Sequence, residues 1–174
     1  LACLAGQAAR AAEHANVAAS IARIHPSPYL QASVHWMTGM AQLAASNLGH
    51  AQDDFAAALK LIQETRVCLD FEAETLFSLA ECMFRSGQWQ DAVSTVSECV
   101  ALSRARSNRV AECRALIVRG AILVRSASSV DIDAGLADLA IAQELIQSTG
   151  AMAYEPSLRE ALELVVSRKH GLDR

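Results

Sequence analysis

The 174-residue sequence predicts an all-α protein of about eight helices paired into antiparallel hairpins, and three observations lead there. Thirty-four residues are alanine, the strongest helix former, while the chain holds only three prolines and eight glycines. No run of β-branched and aromatic residues bounded by turn signals is long enough for a sheet strand. Small residues recur at a fixed period: Ala11, Ala51, Ala92 and Gly135 are separated by 40, 41 and 43 positions. A second series, Gly39, Ala80 and Gly120, runs at 41 and 40. Two independent markers sharing one period signal repeated units.

The period has a packing reason. Antiparallel helices joined by a short turn come within about 8–10 Å only where small side chains meet. One hairpin cannot bury its apolar face alone, so units stack and each touches its neighbours. Along the chain this predicts helices at 7–24, 29–46, 50–66, 70–86, 89–106, 109–126, 132–148 and 156–169. The prolines of "HPSPY" separate the first two, because residues before proline avoid the helical region. Asp53 and Asp54 read as residues near a helix start, and Arg104 and Arg106 as residues at a helix finish, each favoured by the helix dipole. Gly87 permits a reversal, and Trp89 beside it reads as an apolar plug over the hairpin end. An enlarged turn at "SASSVDID" accounts for the wider spacing between Gly120 and Gly135. Pro156 opens a last helix whose stripe, Leu158, Leu162, Val165 and Val166, would cap the final hairpin.

The organisation expected is therefore one helical repeat domain spanning 1–174. A half repeat covers 1–26, repeats cover about 29–68, 70–107 and 109–150, and the capping helix covers 156–169. A chain that opens with Leu on "LACLAG" reads as a piece of a longer protein, entering inside a helical unit. An array cut in mid-unit exposes an apolar face, so self-association through the first two helices is expected, as a C₂ dimer.

Pattern matching for chemistry excludes more than it finds. The net charge of −4, with both signs mixed, gives no reason for a nucleic-acid partner. Nothing approaches a membrane-spanning apolar run. Five cysteines, Cys3, Cys68, Cys82, Cys99 and Cys113, form no C-x-x-C pair and read as small apolar side chains of a cytoplasmic protein. The histidines lack metal-ligand spacing, and no phosphate-binding glycine loop occurs. The acidic pairs Asp53/Asp54 and Asp131/Asp133 are explained by helix starts. No catalytic residue, cofactor or metal site is expected. One basic stretch stands out: Arg104, Arg106, Arg109, Arg114, Arg119 and Arg125 face a single acid, Glu112. Such guanidinium forks suit carboxylates or phosphates, or else close helix ends.

The pattern Leu76, Leu79-Ala80, Met83, Gly87, Trp89, Ala92, Val96, Cys99 resembles a tetratricopeptide repeat, departing from it at Cys99, where Ala is usual. Gly39, Ala51, Phe55 and Ala58 are similar, with the turn glycine displaced to Gly49. Leu116, Gly120, Gly135, Leu139 and Ala142 form a degenerate copy. The long period resembles the divergent arrays of bacterial regulators, and "STGAMAYEPSLREALELV" is similar to the end of arrays in multidomain signalling ATPases and nucleotide cyclases. The resemblance implies a right-handed superhelical solenoid whose concave groove receives a protein or peptide. Groove residues implied in the first full unit are Ser33, Trp36, Met40, Leu43 and Ala44. The next unit contributes Glu74, Phe77, Glu81, Phe84 and Arg85, and the third Arg114, Ile117, Ala121, Val124 and Arg125. Trp36, Phe77 and Ile117 would form an apolar ladder flanked by charge. The function implied is a non-catalytic interaction or self-association scaffold of a bacterial signalling protein. The alternative is a small-effector or peptide sensor that controls an attached catalytic or DNA-binding domain. The Lys-Asn-Lys clamp of chaperone-binding relatives is absent.

Overall fold

The computed structural model describes residues 8–25, 27–126 and 128–172. Those residues form eight α-helices and one 3-10 turn, with no strand among them. The helices are α1 (Ala8–Ile24), α2 (Pro28–Ala44), α3 (Leu48–Thr65), α4 (Glu72–Arg85), α5 (Trp89–Ala105), α6 (Arg109–Leu123), α7 (Ser129–Thr149) and α8 (Glu155–Leu172). Every end lies within three residues of its expected position. Local chemistry sets those ends. Ser27 caps α2 by accepting the Leu30 N–H at 3.2 Å, with Pro28 in the first turn. Asn108 does the same for α6 through the Ala111 N–H at 3.1 Å. Ser128 accepts the Asp131 N–H at 3.4 Å and starts α7 at Ser129.

That last cap corrects one expectation. Residues 129–133 are helical, so the extra residues between Gly120 and Gly135 lengthen the start of α7 instead of enlarging the turn. About one added helical turn leaves the inward face unchanged, because 3.6 residues complete a turn. A second correction concerns the reversal after α2. Gly49 lies inside α3, where a Cβ would meet nothing within 4 Å. The left-handed residue is Ser46, at φ 62°, forty-one positions before Gly87 at φ 79°. Serine there carries a steric cost of roughly 1 kcal/mol that glycine avoids.

The chain forms two compact units, Leu1–Gln88 and Trp89–Arg174. The boundary places α4 and α5, the two helices of the expected repeat 70–107, in different units. In the first unit α2 packs against α1 and α3, and α3 against α4. Its main core joins Leu43, Ala51, Phe55, Leu79 and Cys82, flanked by Trp36, Met40, Leu48, Leu59 and Met83. A second cluster gathers Ala32, Ile62 and Cys68 with Phe71. Among the described residues of the α1 seam, Ala11 and Ala15 meet Ala41, with Met37 beside them.

Gly39 and Gly120 act where the period placed them. A Cβ on Gly39 would lie 2.8 Å from the ring of Phe55, which is fully buried. In the second unit α6 packs against α5, α7 and α8. A Cβ on Gly120 would lie 2.7 Å from Leu139 and 3.0 Å from the Gly135 carbonyl oxygen. Helix α8 rests on α6 and α7 through Leu158, Ala161 and Val165, with Leu162 half-buried. Val166 instead faces solvent, 56% exposed, because it falls one residue off the line of Leu158 and Val165. Trp89 keeps 44% of its surface open and is no plug.

Two glycines in this fold predict opposite outcomes. Gly120→Ala forces a methyl against a backbone carbonyl that cannot rotate away, and should cost about 2 kcal/mol or more. Gly49→Ala adds a methyl in open space on a helix and should gain up to about 1 kcal/mol. Urea melts of the two variants check both signs.

Candidate interaction surface

Several of the groove residues implied by sequence are used inside their own units. Trp36 packs on the main core of the first unit, and its ring centroid lies 5.4 Å from that of Phe71. Its indole Nε1 is buried with no acceptor among the described residues. Met40 flanks the same core and its sulfur receives the Ser78 hydroxyl at 3.6 Å. Leu43 belongs to that core, and in the second unit Ile117 and Val124 are buried. Trp36 and Ile117, two rungs of the expected ladder, are thus interior contacts of separate units. On α4 the pattern survives better. Glu74, Phe77, Glu81 and Phe84 are half-buried along one line, while most other α4 positions are buried.

The arginines are also largely committed. Arg85 bonds the Ser46 hydroxyl at 3.0 Å and stands 3.9 Å from Glu81. Glu112, 2% exposed, accepts Arg104 at 2.8 Å and Arg109 at 2.9 Å, one on each carboxylate oxygen. Arg119 grips Asp138 through two bonds of 2.6 and 2.7 Å. That fork holds the Arg119 guanidinium above its ordinary pKa against the opposing effect of burial. Arg114 lies 5.4 Å over the Tyr154 ring, a cation–π geometry. Arg125 donates to the Ala121 carbonyl at 2.7 Å; burial lowers its pKa, and Glu160 opposes that shift. The basic stretch therefore fastens helices of the second unit to one another.

Asp138 escaped the sequence reading because it sits nineteen residues from Arg119 on the next helix. Gly120 lies against Leu139, and Arg119 and Asp138, beside them in the chain, meet on the same pair of helices. The acidic pairs divide. Asp131 lies in the first turn of α7 as expected, and accepts the Ser126 hydroxyl. Asp54 does not cap α3; it sits in the second turn and bonds His35 Nδ1 at 3.0 Å.

Cys68, Cys82, Cys99 and Cys113 are buried thiols outside any disulfide, and Cys3 lies outside the described residues. Burial pushes the Cys82 thiol up to about 12. No group of three or more His, Cys, Asp or Glu that could hold a metal ion occurs among the described residues. No described helix is long and apolar enough to cross a membrane.

What the interior leaves outside is an apolar row on α1. Val17, Ile21 and Ile24 are 55, 47 and 73% exposed. Separations of four and three place them on one face of the helix. Tyr29, at the start of α2, is also half exposed. Comparison of the chain with family models, with curated proteins and with solved structures finds no match.

Two outcomes follow from the buried polar groups. Arg119→Met leaves the Asp138 carboxylate buried and unpaired, and should cost about 2–3 kcal/mol, whereas Arg119→Met with Asp138→Leu should come within about 1 kcal/mol of wild type. Denaturant melts of the double-mutant cycle measure this. For Cys82, a folded-state pKa above the unfolded one means stabilisation that is complete below pH 9.0 and lost as pH rises towards 12. Stability measured from pH 8 to 11 should fall, and Cys82→Ala should flatten that fall.

Proposed function

We propose that this chain is a divergent helical-hairpin repeat of tetratricopeptide type, acting as a non-catalytic scaffold that binds other polypeptides or copies of itself. The observation that carries the reading is the α1 row of Val17, Ile21 and Ile24. Large branched side chains aligned on one helix face and left in water cost free energy that association recovers, at roughly 25 cal/mol per Å² of apolar area. The helix carrying the row meets its unit through alanines, so its bulkiest apolar side chains point outward.

Two further features support the reading. The glycine approaches recur at the hairpins α2–α3 and α6–α7, which is what a repeat unit requires. Polar side chains that would otherwise suggest chemistry are paired with one another: His35 with Asp54, Glu112 with two arginines, Asp138 with Arg119. The half-buried line on α4 with Phe77 and Phe84 is a second surface of this kind, with aromatic anchors beside carboxylates.

A photo-crosslinking amino acid placed at position 21 in cells of the source organism should form covalent adducts with polypeptide. The same group at the exposed Gln90 serves as the control. Adducts specific to position 21 support the reading. Their absence, in a variant that melts like wild type, removes it.

A further inference from the structure

We propose that α1 of one copy docks antiparallel on α7 of a second copy, so that the chain associates head to tail. This rests on the scaffold reading above and names the partner surface. Helix α7 carries the other exposed apolar row: Val130 at 74% and Ile141 at 37%, with Ala134 and Ala137 exposed between them. Spacings of four, three and four keep these four side chains on one face.

The two rows are complementary in size. The α1 row is branched and bulky, while the middle of the α7 row is alanine, so one supplies ridges and the other the shallow groove. Laid antiparallel with Ile24 level with Val130, Val17 falls level with Ala137 and Ile21 between Asp133 and Ala134. The same register brings Arg10 level with Glu144, because fourteen residues, about 21 Å of helix, separate each pair of ends. Arg10 and Glu144 are both exposed.

Charge points the same way. Helix α7 carries Asp131, Asp133 and Glu144 outside its core, with Asp138 buried against Arg119, and no basic residue. Helix α1 carries Arg10, His14 and Arg23 against Glu13. Every pairing at this overlap sets some charge against an apolar side chain, Glu13 against Ile141 and Asp133 against Ile21 in the mixed one. Only the mixed pairing also brings opposite charges level, Arg10 with Glu144 and Arg23 with Asp131, whereas two copies of α1 set Arg10 against Ile24 and two copies of α7 set Glu144 against Val130. A heterologous contact of this kind propagates or closes into a ring, unlike a C₂ dimer.

Sedimentation velocity of the whole chain tests the proposal with Ile21→Glu, Ala137→Glu and their equimolar mixture. Both positions are exposed, and matched thermal melts confirm that the fold is kept. Wild type should form species larger than a dimer as concentration rises, and each variant alone should stay monomeric. The mixture should form heterodimers that grow no further, since each variant retains one intact face. A second pair covers any folding failure: Arg10→Glu and Glu144→Arg should each weaken association severalfold, and the double variant should recover it. A monomeric wild type overturns the proposal, as does an Ala137→Glu variant that associates like wild type or a mixture that stays monomeric. A monomeric wild type that still gives position-21 adducts with other proteins would leave the scaffold reading standing and remove self-docking alone.

Discussion

Two helix backbones come into contact only where neither carries a side chain in the way, and the helix hairpins of this protein depend on that condition at Gly39 and Gly120. At Gly39 the space of the missing methyl is filled by the Phe55 ring, and at Gly120 by Leu139 with the Gly135 carbonyl behind it. Once those crossings are set, the flanking positions follow. Leu43 and Ala51 enter the core with Phe55 in the first unit, and Arg119 reaches Asp138 in the second. A bulky residue at either crossing would separate the axes and uncover the apolar faces that make these helices stable.

The second unit adds a polar layer to this apolar one. Buried carboxylates are expensive, and Glu112 and Asp138 are tolerated because guanidinium groups reach them with short, well-directed bonds. The arrangement explains why so many arginines fall in one stretch of an acidic protein. Arg104, Arg109 and Arg119 serve carboxylates on neighbouring turns and helices, while Arg114 lies over the ring of Tyr154 in the turn before α8 and Arg125 bonds the Ala121 carbonyl of its own helix. A cluster that looks like a ligand cradle in one dimension is an internal fastening in three. Exposed apolar side chains gather instead on the outer rows of α1 and α7.

The helices and their crossing points were legible in the sequence, because alanine content and the small-residue period are local or nearly local signals. The positions 39, 51, 55, 120, 135 and 139 were readable for the same reason: a glycine or alanine recurring every forty or so residues has few explanations besides close approach. The groove was less legible. Trp36 was assigned to an open surface because aligned repeats place it there, yet its ring has Phe71 to pack on. That contact depends on the loop before α4, where Arg66 and Cys68 take left-handed conformations at φ 57° and 53° that no pattern announced. Val166 and Trp89 were misplaced for a similar reason, since an apolar stripe tells which residues can be buried and not where cover ends.

By itself, then, the sequence determined the all-α class, the helix spans to within a turn, the hairpin crossings and the lack of any spaced catalytic or metal motif. These follow from backbone propensity and from steric rules that act over one or two helices. Only the tertiary structure decided which charges find partners and which apolar rows stay in water. Ion pairing and burial depend on how different turns and helices meet, as for Arg104 with Glu112 and Arg119 with Asp138, and a shift of one residue in helix register turns a side chain by about 100°. Asp138, a charged residue, is sealed under an arginine, while Val17, an apolar one, is open to the solvent.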